Sequence, residues 1–158
     1  MKKRTNYKLF LAFLGSMISF ASNAQNHIDH TRTEIKQVLQ KQYQAVPASA
    51  MHWKEFKDSM VLSFTSGDIE SYHFSFSKKG LCQGEIIYFT TDSAFANSLK
   101  AITQNPIYQF KRINENQYVS DYEHFLLIEL PAESPEKKVG VFKTSWTKSL
   151  YELLMKSK

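Results

Sequence analysis

The chain has 158 residues, one cysteine and a formal net charge of +5. The lone Cys82 excludes an intramolecular disulfide. Four of the 20 basic residues and none of the 15 acidic ones precede residue 25, so the rest of the chain carries 16 positive against 15 negative charges. Because these charges are interspersed along the chain, nucleic acid is excluded as the expected partner.

The first 24 residues have the three parts of a cleavable secretory signal. Basic residues open it, an apolar run follows over Leu9–Phe20, and small residues close it at 22–24. The run is shorter than the roughly 20 apolar residues that a spanning helix needs. We expect cleavage between Ala24 and Gln25, which leaves a periplasmic or secreted chain, residues 25–158, without a stable membrane span. Gln25 stands where a lipoprotein has its acylated cysteine, which favours an unlipidated product.

An amphipathic helix is the first element expected after the signal. Apolar residues recur at helical spacing from Thr31 to about Gln44, and Glu34 completes a capping box with Thr31. Pro47 marks the end of this helix. The following segment, 48–58, contains three large apolar residues and is compatible with a strand or with a loop that lays its aromatic side chains on the core.

Three strands are predicted next, over 60–65, 71–76 and 81–89, from the alternation of apolar and polar residues. Turn signals at Ser66-Gly67-Asp68 and at Lys78-Lys79-Gly80 predict antiparallel hairpins. The third strand ends in Ile86-Ile87-Tyr88-Phe89, which is apolar on both parities. This pattern favours a central strand that is covered on both faces.

A second helix is predicted from Thr91-Asp92 to Asn105-Pro106, with apolar residues at i, i+4 and i+7. The alternating pattern then returns and predicts strands over 107–113, 118–121, 125–130 and 139–146. Leucines in the segment from Lys148 to Met155 predict a short terminal helix.

The order of elements is helix, three strands, helix, three or four strands and a short C-terminal helix, so one unit is used twice. It predicts a single α+β domain, residues 25–158, in which an antiparallel sheet has helices packed on one face. A dinucleotide-binding parallel sheet is excluded, because strands and helices do not alternate and the first turn is not glycine-rich.

No set of side chains predicts a catalytic centre, a cofactor site or a metal site. Cys82 has no nucleophile signature around it and is predicted to be a small buried apolar residue. His27 and His30 flank Asp29, but a metal site needs three or four ligands in fixed geometry. We expect these residues to belong to a mobile mature N-terminus.

A second polar cluster contains Asp121, Glu123 and His124. Its position between two predicted strands indicates solvated corner residues. The alternative function is a small envelope hydrolase in which His124 or His73 acts with a nearby carboxylate.

Aromatic residues are the one compositional excess, with 12 Phe, 8 Tyr and 2 Trp. Those at regular strand positions, among them Tyr72, are predicted to form the core. Tyr and Trp are also enriched at protein interfaces. The candidate binding residues, chosen for their less regular or more polar surroundings, are Trp53, Tyr118, Tyr122 and Trp146. They would form a binding surface if several shared one sheet face, and the alternative is that they are singly scattered.

Three short stretches resemble small exported proteins common in the Bacteroidota, most of which have no assigned activity. They are Ala24-Gln25, Thr31-Arg32-Thr33-Glu34-Ile35 and Phe76-Ser77-Lys78-Lys79-Gly80-Leu81-Cys82. The element order is also similar to that of beta-lactamase-inhibitor-like and SmpA/OmlA-like domains, a resemblance that implies protein binding. SmpA/OmlA-like proteins are lipoproteins, whereas this chain has Gln25 in place of the acylated cysteine, and no site residue of either family is carried over.

These observations together predict a non-enzymatic exported domain that binds a protein or another envelope partner through its sheet face. No cofactor is expected.

Overall fold

The computed structural model describes residues 26–132 and 135–156. The predicted signal, residues 1–24, lies outside the described residues. The helices and strands, in chain order, are α1 Arg32–Gln42, β1 Met51–Glu55, β2 Ser59–Phe64, β3 Ile69–Phe76, β4 Cys82–Phe89, α2 Asp92–Thr103, β5 Lys111–Asn114, β6 Gln117–Val119, β7 Leu126–Glu129, β8 Lys138–Lys143 and α3 Lys148–Lys156.

All eight of these strands form one antiparallel sheet in the order β1-β2-β3-β4-β8-β7-β6-β5. Each half of the chain contributes one long helix followed by four strands, and the halves meet where β4 pairs with β8. The α+β class, the antiparallel sheet and the use of one unit twice are therefore confirmed. The segment 48–58, which the sequence left open, contains a short 3-10 turn and the edge strand β1.

Helix α1 begins where the capping box was predicted. The Thr31 hydroxyl accepts a hydrogen bond from the Glu34 backbone N–H, and the Glu34 carboxylate accepts one from the Thr31 backbone N–H at 2.7 Å. Ile35 and Leu39, one helical turn apart, are completely buried against the sheet. The guanidinium of Arg32 donates to backbone carbonyls of the β1–β2 turn, which ties the helix to that edge of the sheet.

Helix α2 crosses the middle of the same sheet face, next to β4 and β8. The Thr91 hydroxyl caps it by accepting from the Ala94 backbone N–H. Phe95, Leu99 and Ile102 pack on the core, as their spacing predicted. The short helix α3 packs beside the end of β6. There the Tyr151 hydroxyl donates a hydrogen bond to the Ser120 carbonyl at 3.2 Å.

The strand register separates a sheet face that α1 and α2 cover, the covered face, from the opposite face, which neither of these two helices covers and which we call the helix-free face. Buried residues such as Leu62, Phe74 and Val141 occupy the covered face. β4 is central in the sheet, as predicted, but Ile86 on its other face is only half-buried. The helix-free face carries several half-buried apolar side chains. It is therefore a second surface that another molecule could contact.

The N-terminal strap, which we define as residues 26–31, is fixed to the covered face. The prediction that this segment is mobile was wrong. The Asp29 backbone N–H donates to the Cys82 carbonyl, and the Cys82 N–H donates to the His30 carbonyl, both at 2.9 Å. Asp29 also pairs with Lys143 at the end of β8. The strap therefore links the two halves of the sheet.

Among the described residues, no helix combines the length and the apolar character needed to cross a membrane.

Candidate functional site

A cavity of about 350 Å³ lies between the covered face of the sheet, helix α2 and the turn that follows α1. The sheet provides its floor with large apolar side chains, and α2 provides one wall. The β2–β3 turn lies at its exposed mouth. The lining residues are Tyr43, Val46, Phe64, Ser66, Gly67, Asp68, Ile69, Tyr72, Ile87, Phe89, Ala94, Asn97, Ser98, Ala101 and Ile102.

The sequence of α2 explains why space remains there. Its large residues form one stripe that packs on the core, and the small residues Ala94, Ser98 and Ala101 form a neighbouring stripe that faces the cavity. These small side chains lie at helical spacing, so they stay on one side of the helix. The large stripe holds α2 on the sheet, while the small stripe does not fill the gap beside it.

The turn at the mouth depends on one glycine. Gly67 has φ +114°, a conformation that side-chain-bearing residues rarely adopt. Its carbonyl accepts a hydrogen bond from the Thr90 hydroxyl at 2.8 Å, which joins the turn to the loop before α2. The mouth is therefore held by a specific contact between the first hairpin and the start of the second helix.

Two tyrosine hydroxyls meet at the inner end of the cavity. The Tyr43 and Tyr72 oxygens are 2.7 Å apart, so they share a hydrogen bond. Tyr72 is 4% exposed and stacks on Phe74, with ring centroids 5.9 Å apart, while the Tyr43 ring lies 4.7 Å from that of Phe64. Burial raises the pKa of both phenols, and that of Tyr72 is well above its usual value. Both therefore stay protonated and act as hydrogen-bonding groups at neutral pH.

The cavity lining is poor in charge. Among the described residues that line it, none is lysine, arginine or histidine, and the only carboxylate is the exposed Asp68 at the mouth. Its interior is thus apolar, with the tyrosine pair as the innermost polar groups. This is the character of sites for small apolar molecules, in which a few polar groups fix the orientation.

A buried ion pair lies beside the inner end of the cavity. Its carboxylate belongs to Glu85, two residues before Ile87 on the same face of β4. His27 Nδ1 is 2.9 Å from Glu85 Oε1, and the His27 backbone N–H donates to Glu85 Oε2 at 3.1 Å. The two residues are 5% and 2% exposed. Burial by itself lowers the pKa of His27, but the Glu85 carboxylate outweighs it through charge and hydrogen bonding, so the net pKa is raised.

Cys82 lies on the same strand and is fully buried, as predicted. Burial, together with the nearby Glu85 charge, raises the pKa of its thiol to about 12. Nucleophilic catalysis uses the thiolate. The thiol instead donates a weak hydrogen bond to the Gly84 carbonyl, so the cysteine acts as a core residue.

The four predicted binding aromatics do not form one surface. Trp53 is on the edge strand β1 and packs partly against the core, with the Lys36 ammonium 5.7 Å from its ring. Tyr118 is on β6, six strand spacings away, or about 29 Å at about 4.8 Å per spacing. Tyr122 and Trp146 do come together, since both line a small crevice with Tyr151.

The histidines of the hydrolase alternative lie on different parts of the molecule. His124 Nδ1 is 2.6 Å from Asp121 Oδ1 in the β6–β7 turn. His73 is on the helix-free face, where its Nε2 is 3.1 Å from the Ser71 hydroxyl, and His52 is exposed on β1. Within the described ranges, no group of three or more histidine, cysteine, aspartate or glutamate side chains is arranged to hold a metal ion.

Residue patterns do not reveal the tyrosine pair or the buried ion pair. They place Tyr72 in the core for its apolar ring, although a buried phenol hydroxyl needs a hydrogen-bond partner. Glu85 has the same strand parity as Ile87, which places a carboxylate on a core face. A buried charge requires a partner, so the position of Glu85 is the sequence signal that could have indicated the ion pair.

Comparison of the chain with protein-family models, curated proteins and solved structures finds no match. The resemblance of its motifs and element order to exported Bacteroidota proteins and beta-lactamase-inhibitor-like domains therefore stays a prediction.

Proposed function

We propose that the protein is a non-enzymatic binding domain that holds a small apolar molecule in the cavity between α2, the turn after α1 and the sheet. The observation that carries this proposal is the cavity itself. Its volume of about 350 Å³ is within the range of small-molecule sites, and its walls are mostly apolar. These apolar walls stay in contact with water unless a ligand covers them, and removing apolar area from water is favourable.

The size of the cavity sets the size of the ligand. At about 20–30 Å³ for each non-hydrogen atom, from an aromatic ring carbon to a water-sized group, it holds roughly 12 to 17 non-hydrogen atoms. A ligand of that size would gain its affinity from the apolar area that it removes from water. Such a molecule dissolves poorly in water, and a carrier role for an exported protein agrees with the predicted signal.

A fluorescent probe tests the proposal directly. N-phenylnaphthylamine is uncharged, and its emission rises in apolar surroundings. We expect saturable binding of one probe per chain, and Ala101→Phe should weaken it about tenfold or more by filling the cavity, a loss of about 1.4 kcal/mol. Saturable binding that Ala101→Phe leaves unchanged would place the probe elsewhere and contradict the proposal.

Ala96→Phe provides the matched control. Ala96 lies on the same helix but is exposed and does not line the cavity. The substitution adds the same ring to α2 without filling the space beside the sheet. Probe affinity should therefore stay within about twofold of the unchanged protein, since surface substitutions have small effects.

A second candidate function is supported by the helix-free face of the sheet. Ile86, Phe142 and Leu127 are half-buried there on the adjoining strands β4, β8 and β7, and together they form an apolar surface of the kind that docks a protein partner. A photo-crosslinking residue placed at Ile86 in the native cell should give one discrete protein adduct. The same residue at Ala96 should not, and equal adducts at both positions would argue against a partner site on this face.

A further inference from the structure

We propose that the cavity selects uncharged apolar ligands that carry one hydrogen-bond acceptor, such as a ketone or an ester, over both fatty acids and plain hydrocarbons. This inference rests on the proposed function and specifies its ligand class. It follows from three properties of the described residues: the hydrogen-bonding capacity of the tyrosine pair, the absence of a cation in the lining, and the position of Glu85.

The tyrosine pair has one donor more than its mutual hydrogen bond uses. Tyr43 and Tyr72 have two O–H protons, and the 2.7 Å contact between their oxygens takes one of them. The Gln42 side-chain amide lies near both hydroxyls, and its two N–H groups can donate to their oxygens and leave the second O–H proton unused. That proton is available to an acceptor inside the cavity.

A buried donor gives a ligand a preferred orientation. Both tyrosines line the cavity, and Tyr72 is 4% exposed, so bulk water has little access to its hydroxyl. A buried donor without a partner costs free energy, which a carbonyl oxygen of the ligand would remove. A ligand with an acceptor at one end would bind with that end toward the tyrosine pair and its hydrocarbon along Phe64, Ile87 and Phe89.

The electrostatics disfavour a carboxylate at that position. Within the described lining no basic side chain is present to pair with a ligand charge. Glu85 is already paired with His27 beside the inner end, so this buried pair offers neither a cation to a ligand carboxylate nor a carboxylate to a ligand ammonium. Burying an unpaired charge costs far more than burying a hydrogen-bonded carbonyl. A ligand ammonium would lose its water without gaining an ion-pair partner at the inner end.

Four probes of matched length separate these possibilities by displacement of N-phenylnaphthylamine: undecane, methyl nonyl ketone, decanoate and decylammonium at neutral pH. We expect the ketone to displace the probe, with both ions about tenfold or more weaker. Decanoate or decylammonium binding as tightly as the ketone would overturn the inference and leave the proposed function standing. If all four fail to displace the bound probe, the proposed function is itself contradicted.

The double variant Tyr43→Phe/Tyr72→Phe tests the role of the hydroxyls without changing the shape of the walls. Both must be removed, because a single remaining phenol still has a proton to donate. The affinity of the ketone relative to undecane should fall about fivefold, the effect of one hydrogen bond, while undecane itself binds unchanged.

Tyr88→Phe is the matched control, since this phenol lies on the other face of β4 and outside the cavity. It should leave the ratio of ketone to undecane affinity unchanged. A ratio that persists in the double variant, or that falls equally in Tyr88→Phe, would show that the tyrosine pair does not recognise the acceptor.

Discussion

The imidazole of His27 lies against the carboxylate of Glu85, with Nδ1 and Oε1 2.9 Å apart and both side chains buried under the helices. The contact joins the N-terminal strap to the central strand β4, 58 residues later in the chain. The His27 ring also makes edge contacts with Tyr72 and Phe74. The strap therefore takes part in the core beside the cavity.

The first prediction is that stability falls as pH rises above about 6.5. The pKa of His27 is raised in the folded protein by Glu85, against the opposing effect of burial. The stabilisation is therefore fully present below the unfolded value of about 6.5 and is lost as pH rises through the higher folded value. Urea unfolding between pH 6 and 8.5 measures this, with His27→Gln as the variant expected to lose the slope.

A second histidine does not obscure that measurement. Burial lowers the pKa of His73. Its contribution to stability is therefore present above about pH 6.5 and is lost as pH falls, which is the opposite sign in a different window. If unfolding free energy is flat from pH 6.5 to 8.5 in the unchanged protein, the His27–Glu85 pair does not stabilise the fold in its charged form.

The second prediction concerns the coupling of these two residues. Glu85→Leu or His27→Leu alone leaves one buried polar group without its partner and should cost about 3–5 kcal/mol. Replacing both with leucine removes the unpaired group, and the double variant should be more stable than either single variant. A double-mutant cycle by urea unfolding at pH 6.5 measures the coupling. Additive losses would mean that the residues contribute independently.

The third prediction concerns Gly140 and Phe142 on the helix-free face. A Cβ at position 140 would lie 2.5 Å from Cε2 of the Phe142 ring, which rests on the strand backbone. Gly140→Ala should therefore displace the ring and cost about 1–3 kcal/mol. In a Phe142→Ala background the clash is absent, so the same substitution should be neutral or stabilising, because glycine weakens a strand. Thermal unfolding of the four proteins compares the two backgrounds.

The fourth prediction is that Cys82 does not react with alkylating reagents while the protein is folded. The thiol is fully buried, and burial with the Glu85 charge raises its pKa to about 12, so the reactive thiolate is scarce at pH 8. Mass spectrometry should detect labelling only through the small unfolded fraction, far more slowly than for an exposed thiol. Adding urea below the transition should accelerate labelling in proportion to the unfolded fraction. Rapid labelling in native buffer would contradict the buried position.

Local patterns predicted most helices and strands correctly, because those signals act between neighbouring residues. The capping box at Thr31 and Glu34 places the start of α1, and alternation identifies β2, β3 and β4. The prediction was less accurate over 107–113, where the strand begins only at Lys111. Gln109 has φ +46° in the preceding turn, a conformation that alternation does not reveal.

The candidate site was largely beyond the reach of those patterns. The small stripe of α2 can be read from Ala94, Ser98 and Ala101, but a stripe of small residues indicates close packing as readily as a cavity. Tyr43 and Tyr72 are 29 residues apart, and their hydroxyls meet only because α1 crosses the sheet at β3. The position of His27 just after the predicted cleavage site predicts a mobile segment, and its partner Glu85, 58 residues later, gives no local signal.

The sequence by itself determined the α+β class, the repeated unit and the central place of β4, because the periodicity of apolar residues dictates which faces must be buried. Only the tertiary structure decided where α2 rests on the sheet, and therefore that a cavity remains beside it. It also decided that Glu85 pairs with His27 and that Tyr43 meets Tyr72. These contacts depend on the distance between elements that no local pattern encodes, since packing of the whole chain sets it.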